Sequence, residues 1–244
     1  MNFMIISIET STSELSLTLL NNENVIIKHT SVCFKNELSE IIVSTIKKFL
    51  QDNSISLKDI SFLAVGCGPG SFTGIRSVIS TAMGIRVSNN HITCLGISSL
   101  AGLAMSALNE AKKLKRKYII SSIDSKRDDL FLQLFRINYN KNKSLPFIDM
   151  NNIDTIKIEN LYNYFEINSL ILEDILFIGH RSSIVKKMIS NLNISQKLKQ
   201  NPDSLGVGKL ASCLIRNKIN IRNVTFAFDK FKPIYVRPAQ INLK

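Results

Sequence analysis

Cysteine and histidine are scarce in this 244-residue chain, which has four of the first, three of the second and no tryptophan. The cysteines lie far apart and form no CxxC pair, which argues against a disulfide framework or a zinc cluster. The histidines form neither an HxxxH nor an HExxH pair. We therefore predict no metal site, and we expect each cysteine to be a small buried hydrophobe. They are Cys33, Cys67, Cys94 and Cys213.

Long hydrophobic runs are also absent, since no stretch approaches the ~18 apolar residues that a membrane span needs. The first nine residues have no cationic lead and no small-residue cleavage site, so they predict a first strand and not a signal peptide. A hydrophobic content of 45% with 20% charged residues is typical of a globular fold. We expect a soluble cytoplasmic protein with no membrane contact.

Acidic residues are the scarcer charge, with 19 Asp and Glu against 31 Lys and Arg and a formal net charge of +12. The basic residues concentrate in segments 112–117, 181–187 and 216–244. Either these segments contact nucleic acid by neutralising phosphates, or they form a solvated lysine-rich face. Aromatic residues that stack on bases are sparse there, with only Tyr118 at the edge of the first segment.

Apolar periodicity in residues 1–111 predicts the order β β β α β α β α. The first three strands are expected to be antiparallel, because short polar turns separate them. Asn36 is placed to cap the first helix, with Glu37 in its first turn. The predicted strands cover 3–8, 15–20, 24–31, 60–66 and 92–96, and the helices cover 36–52, 73–87 and 98–111.

Residues 112–244 form a second predicted block, with strands at 118–123, 130–137 and 175–178, a loop at 138–152, and helices at 184–192 and 205–216. The element order predicts an α/β fold of two lobes, residues 1–111 and 112–244, in which mixed sheets are covered by helices. By analogy at fold level this is the ribonuclease H-like arrangement of the actin, Hsp70 and sugar-kinase superfamily.

Four of the ten glycines fall within nine residues, in the segment GCGPGSFTG at 66–74. It lacks the lysine of a GxxxxGK phosphate loop, and as a GxGxxG fingerprint it ends in Thr73. The segment is therefore either an anion site at the start of the next helix or a close-packing corner. The residues in question are Gly68, Gly70, Ser71, Thr73 and Gly74.

Six short segments stand out when they are taken together: IETST at 8–12, LSLTL at 15–19, GCGPGSFTGIR at 66–76, LGISSL at 95–100, IDSKR at 123–127 and PIYVR at 233–237. Together they resemble the bacterial TsaB (YeaZ) family. The resemblance implies a role in making N6-threonylcarbamoyladenosine at position 37 of tRNAs that read codons beginning with A. It also implies a non-catalytic chain that binds the transferase TsaD, a paralogue of the same two-lobed fold, with the ATPase TsaE joining them.

The resemblance implies that helices 36–52 and 73–87 form the surface for TsaD. Periodicity alone does not decide which side of each helix faces the partner. Small residues at three- and four-residue spacing on the second helix would let another helix or the chain's own sheet approach closely. The apolar anchors are Leu38, Ile42, Phe49, Ile75, Val78 and Ala82, and the small residues are Ser77, Ser80, Thr81 and Gly84.

The paralogue's metal-binding HxxxH corresponds to Ser99 and Leu103 here, and neither side chain binds iron or zinc as imidazole does. The resemblance implies no cofactor bound by the chain alone, with ADP or ATP as a candidate at the joint surface. A homodimer in the absence of TsaD, and tRNA contact through the complex, are further candidates.

Two other function classes stay open at this point. One is an enzyme, either a sugar-kinase-like phosphotransferase or ATPase or a metallopeptidase, for which only the carboxylates Glu9 and Asp124 are suitably placed. The other is a tRNA-binding module that uses the run 112–117 and the C-terminal tail.

Overall fold

The computed structural model describes residues 3–34, 38–140, 144–150, 152–195, 198–229 and 231–236. Within these residues the chain forms two β-sheets and six α-helices. The helices are α1 (Leu38–Asp52), α2 (Phe72–Ser88), α3 (Ser99–Lys113), α4 (Leu161–Ile167), α5 (Ser182–Met188) and α6 (Ser204–Arg216).

The first sheet contains β1 (Met4–Glu9), β2 (Glu14–Asn21), β3 (Ile26–Cys33), β4 (Phe62–Gly66), β5 (Thr93–Ile97) and β12 (Ala227–Phe228). Its strand order is β12-β5-β4-β1-β2-β3. The predicted antiparallel arrangement of β1, β2 and β3 is confirmed. Strands β1, β4 and β5 are parallel, because helical crossovers bring the chain back to the same edge before each new strand.

The second sheet contains β6 (Tyr118–Asp124), β7 (Asp129–Ile137), β8 (Phe147–Asp149), β9 (Asp154–Lys157), β10 (Ile175–Gly179) and β11 (Asn193–Ile194). Its order is β11-β10-β6-β7-β8, with β9 also paired to β7. Both sheets therefore mix parallel and antiparallel pairs, as the element order predicted.

Side-chain alternation along the strands divides the interior into layers. Ile119 packs in the core that holds α3 and α6, whereas its neighbour Ile120 packs in the core that holds α4 and α5. In the first sheet Ile5 faces α3 and α6, and Ile6 faces α1 and α2. The layers therefore run α1 and α2, first sheet, α3 and α6, second sheet, α4 and α5.

Some predicted details are wrong. The predicted loop 138–152 contains strand β8, whose Phe147 is buried against Phe135 and Phe226 at ring-centroid distances of 4.9 and 5.5 Å. Helix α4 was not predicted, because its seven residues are too short for a clear helical period. Cys33 is exposed on the edge strand β3, so the expectation that every cysteine is buried is also wrong.

The predicted lobe boundary near residue 112 falls in the last turn of α3, a few residues before β6, where the chain passes from the first sheet to the second. Helix α6 and strand β12 later return to the first sheet. The capping residues Asn36 and Glu37 lie outside the described residues. Among the helices that the structure describes, none has both the length and the apolar content that a membrane crossing requires.

Candidate functional site at the glycine loop and the cleft

The glycine loop, residues 66–71, turns β4 into α2 while packing against the turn that follows β1. A Cβ on Gly70, where φ is +152°, would lie 2.3 Å from the carbonyl oxygen of Ser11. A Cβ on Gly74 would lie 2.3 Å from the carbonyl oxygen of Thr10. Both distances are far inside van der Waals contact, so only glycine allows the two backbones to approach this closely.

Hydrogen bonds fasten the same two segments together. The Ser71 N–H donates to the Ser11 carbonyl oxygen at 2.7 Å, and the Thr10 hydroxyl donates to the Gly74 carbonyl oxygen at 2.9 Å. The Ser71 hydroxyl caps α2 by accepting from the Gly74 N–H at 3.2 Å. Since the Ser71 and Gly74 amides are already occupied, these contacts favour the close-packing interpretation of the loop over an anion cradle.

Glu9 is a buried carboxylate whose hydrogen bonds connect the turn after β1 to the start of α3. It accepts from the Thr10 N–H at 2.8 Å, the Ser11 N–H at 2.6 Å and the Ser99 hydroxyl at 2.7 Å. Burial raises the pKa of Glu9, and the hydrogen bonds oppose that rise only in part. Its carboxylate occupies the space where Gly66 would carry a Cβ, so Glu9 is turned towards the interior of the first lobe.

Ser99 connects Glu9 to the glycine loop at the start of α3. Its hydroxyl donates to Glu9 and accepts from the Gly68 N–H at 3.1 Å. Ser99 and Leu103, the positions compared with the paralogue's histidines, are both buried. No group of three His, Cys, Asp or Glu side chains that could hold a metal ion occurs among the described residues.

A cavity of about 740 Å³ separates the two lobes beside the glycine loop. The first lobe contributes the turn 11–13 and loop residues 69–72, and the second contributes residues 123–127. Asp124, the other carboxylate singled out from the sequence, lines this cavity, whereas Glu9 does not. The two carboxylates are therefore not brought together in one open site.

Asp124 is engaged by neighbours of its own lobe. It accepts from the Lys126 N–H at 2.7 Å and pairs with Arg181, whose Nε lies 3.1 Å from Oδ2. Burial by itself would raise the pKa of Asp124, but these hydrogen bonds and the Arg181 and Lys126 charges lower it overall. His180 closes the cavity wall: its Nδ1 accepts from the Asp124 N–H at 2.9 Å, and its Nε2 lies 2.8 Å from Asn201 Oδ1.

The C-terminal tail crosses from the glycine loop to the outer side of α2. The Ile234 N–H donates to the Cys67 carbonyl oxygen at 2.8 Å. The Arg76 Nε donates to the Tyr235 hydroxyl at 2.7 Å, and its guanidinium carbon lies 3.8 Å from the Phe72 ring centroid. Sequence reasoning found each of these segments in the motif resemblance but not their contact.

The predicted partner surface divides into a buried and an exposed part. The six apolar anchors are at most 5% exposed and pack in the chain's own core between α1, α2 and the first sheet, so they are not surface residues: Leu38, Ile42, Phe49, Ile75, Val78 and Ala82. Ser77 is half-buried. Ser80 and Gly84 are exposed, and a Cβ on Gly84 would meet nothing within 4 Å.

Three exposed apolar residues on α1 and α2 were missed. Met83 and Val87 on α2 are 54% and 84% exposed, and Val43 on the adjacent α1 is 61% exposed. Met83 and Val87 follow Ser80 by three and seven residues along α2, and that helical spacing could have found these two. Whether any part of this face binds a partner stays a prediction.

Comparison with known proteins decides the family. A family model described as "TsaD: tRNA N6-adenosine threonylcarbamoyltransferase" matches residues 33–241. The tRNA threonylcarbamoyladenosine biosynthesis protein TsaB of Buchnera aphidicola subsp. Schizaphis graminum is 32% identical over 161 residues, which is 66% of this chain and 72% of that protein. The chain belongs to the TsaB (YeaZ) family. It lies within the wider family of that model.

Other TsaB proteins match over different lengths. The Bacillus subtilis protein is 28% identical over 77% of this chain and 76% of its own length. The Escherichia coli protein is 30% identical over 52% of each, so this TsaB-family chain matches about half the length of that relative.

Solved structures confirm the predicted fold class. YeaZ from Pseudomonas aeruginosa superposes with a TM-score of 0.66 at 17% identity, covering 87% of this chain and 92% of that one. Component A of the Acidaminococcus fermentans (R)-2-hydroxyglutaryl-CoA dehydratase superposes with a TM-score of 0.51 at 11% identity, covering 86% and 98%. At these identities the likeness shows the α/β fold alone.

Proposed function

We propose that this TsaB-family chain is a cytoplasmic, non-catalytic subunit that activates threonylcarbamoyl transfer to adenosine 37 of tRNAs reading codons that begin with A, and that it acts by binding TsaD. The observation that carries the proposal is the outer face of α2. Ser80, Met83, Gly84 and Val87 lie at helical spacing and form a small-and-apolar surface there. A helix of a partner can approach such a surface closely and bury its apolar side chains.

The absence of a catalytic role is inferred from how the polar groups are used. Glu9 is enclosed by the hydrogen bonds that hold the glycine loop, and Asp124 is paired with Arg181. Ser99 and Leu103 offer no imidazole where the paralogue has its metal ligands. The residues suited to acid, base or metal chemistry therefore have structural partners instead of a free position in the cleft.

The proposal extends to the wider assembly. TsaE joins the chain and TsaD, and ADP or ATP is bound only at a surface that two subunits share. Because Met83 and Val87 are apolar and exposed, the same face also supports a homodimer when TsaD is absent. Binding of TsaD would then displace the second copy of this chain from the same apolar face.

The test is co-purification with TsaD of the same organism after replacing Ser80 by Glu. A carboxylate buried in a helix interface without a partner costs several kcal/mol, so we expect no complex. Ser190→Glu is the matched control, since Ser190 is an exposed serine of the second lobe and the charge change is the same. Both variants should melt at the wild-type temperature, and Ser80→Glu protein that co-purifies at full yield would refute this surface.

A second candidate function is a nucleotide-dependent phosphotransferase or ATPase, favoured by the 740 Å³ cavity between the lobes. Titration of the isolated chain with ATP and Mg²⁺ separates the two. Micromolar binding with metal-dependent hydrolysis would support the enzyme, and absence of binding would support the accessory subunit.

A further inference from the structure

The carboxyl-terminal ends of α3 and α6 lie side by side, at the end of the molecule away from the cleft. The two helices touch near their starts, where a Cβ on Gly206 would lie 2.1 Å from the Gly102 carbonyl oxygen. Near their ends, Cys213 of α6 lies within electrostatic reach of both Lys112 and Arg216. The 15 residues of α3 span roughly 22 Å, which separates this end from Ser99 at the glycine loop.

Basic side chains collect at this end, and the structure sorts the run 112–117 into two groups. Arg116 donates to the Glu173 carbonyl oxygen, and Lys117 pairs with Asp174 at 2.8 Å, so both serve the fold. The other three lysines of the run are exposed. Two exposed cations at the end of α6 and just after it lie at the same end of the molecule. We name the basic end as Lys112, Lys113, Lys115, Arg216 and Lys218, none of which forms an ion pair within the described residues.

Tyr139 adds an aromatic ring beside the basic end. Its side chain is 50% exposed, and its hydroxyl donates to the Arg116 carbonyl oxygen at 2.6 Å. The ring is therefore held at the surface in a fixed position. An exposed and oriented tyrosine next to lysines can stack on a base or pack on a ribose.

Stabilisation of helix ends does not account for so much charge. Each helix carboxyl end carries about half a negative charge, so two ends together need about one cation. The basic end has five. Carboxylates also lie near it in the fold. Glu110 accepts from Ser195, the Glu23 carbonyl oxygen contacts Arg216 at 3.4 Å, and Arg116 and Lys117 contact Glu173 and Asp174. When Arg116 and Lys117 are included, seven cations stand against these four carboxylates, so the end stays positive.

We propose that the basic end is a contact surface for the phosphate backbone of RNA, with Tyr139 against a base or ribose. That the RNA is a tRNA rests on the proposed function. The first sheet stands between α1 and α2 on one side and α3 and α6 on the other. A partner on the outer face of α2 would therefore leave the basic end open, so both contacts can form at once.

The test is salt-dependent binding of an in vitro transcribed tRNA that has adenosine 37 and reads a codon beginning with A, measured by fluorescence titration of the full chain between 50 and 200 mM KCl. The variant is Lys112→Gln, Lys113→Gln, Lys115→Gln. Its control is Lys58→Gln, Lys157→Gln, Lys187→Gln, three exposed lysines elsewhere. Each triple lowers the formal net charge from +12 to +9.

Loss of three phosphate contacts should reduce the slope of log K against log salt by about two to three, and weaken binding at 0.1 M salt on the order of 100-fold. The control should change the slope by less than about one, and Tyr139→Ala should weaken binding without changing the slope. Equal effects of the two triples, no wild-type binding at 50 mM KCl, or equally good competition by polyglutamate would each overturn the proposal. Both triples should still co-purify with TsaD, so failure of the α2 surface is a separate result.

Discussion

Replacing Gly70 by Ala tests whether the glycine loop is a packing corner. Its φ of +152° is a conformation that residues with side chains rarely adopt, and strain of this kind costs roughly 1–3 kcal/mol. The new Cβ would also lie 2.3 Å from the Ser11 carbonyl oxygen. That oxygen accepts from the Ser71 N–H at 2.7 Å and cannot withdraw without losing the bond, which contributes about 0.5–1.5 kcal/mol.

The two effects together lower the free energy of unfolding by roughly 2–4 kcal/mol. For a chain of this size the melting temperature should fall by roughly 5–15 °C. Urea unfolding followed by circular dichroism at 222 nm measures the first quantity, and a thermal melt measures the second.

Gly84→Ala is the matched control, because Gly84 lies exposed within α2, outside the glycine loop, with nothing within 4 Å of its Cβ position. Alanine there should raise the free energy of unfolding by about 0.5–1 kcal/mol. A Gly70→Ala protein within about 0.5 kcal/mol of wild type would refute the packing argument. Phosphate that raises the wild-type melting temperature, but not that of Gly70→Ala, would support the anion site instead.

Three further predictions concern buried polar groups. Ser99→Ala removes the donor to Glu9 and the acceptor of the Gly68 N–H, so it should cost about 1–3 kcal/mol in urea unfolding, and an unchanged midpoint would contradict that role. Burial lowers the pKa of His180 from its ordinary 6.5, so the unfolded chain binds the proton more readily than the folded chain. The free energy of unfolding should therefore fall as pH drops below about 6.5. His180→Gln should flatten that part of the plot of stability against pH, and an unchanged slope would count against the prediction. Burial raises the pKa of the Cys67 thiol to about 12, so at pH 8 iodoacetamide should label exposed Cys33 well before Cys67, as mass spectrometry of timed samples would show.

Local pattern was enough for the elements whose period is long and regular. Helices α1, α2 and α3, and strands β1 to β7, were all predicted within a few residues of their observed bounds. Pattern failed at β8, where Phe147 is the one buried residue of the strand's three, because so short a strand is defined by its pairing with β7 and not by its own sequence. Helix α4 was missed for a similar reason, because its seven residues are too few to show a helical period.

The candidate surface shows the same limit at the level of side chains. The family resemblance pointed to α1 and α2 as the partner surface, and periodicity left open which side of each helix faces the partner. Ile42 and Val78, named among its anchors, are buried in the chain's own core. A helical period gives the angle between residues and not which side the sheet covers. Only the packed structure placed Met83 and Val87 outside, and only it separated Lys115, which is exposed, from Lys117, which is paired.

The sequence by itself determined the family, the α/β class, the order of the long elements and the overall positive charge, since each depends on residue types or on local spacing. Only the tertiary structure decided which distant segments pack beside the glycine loop and beside the lysine run. Gly70 contacts the Ser11 backbone 59 positions earlier, and the α3 cations meet those of α6 about a hundred positions later. Such contacts depend on how sheets and helices pack, and no local stretch of sequence specifies them.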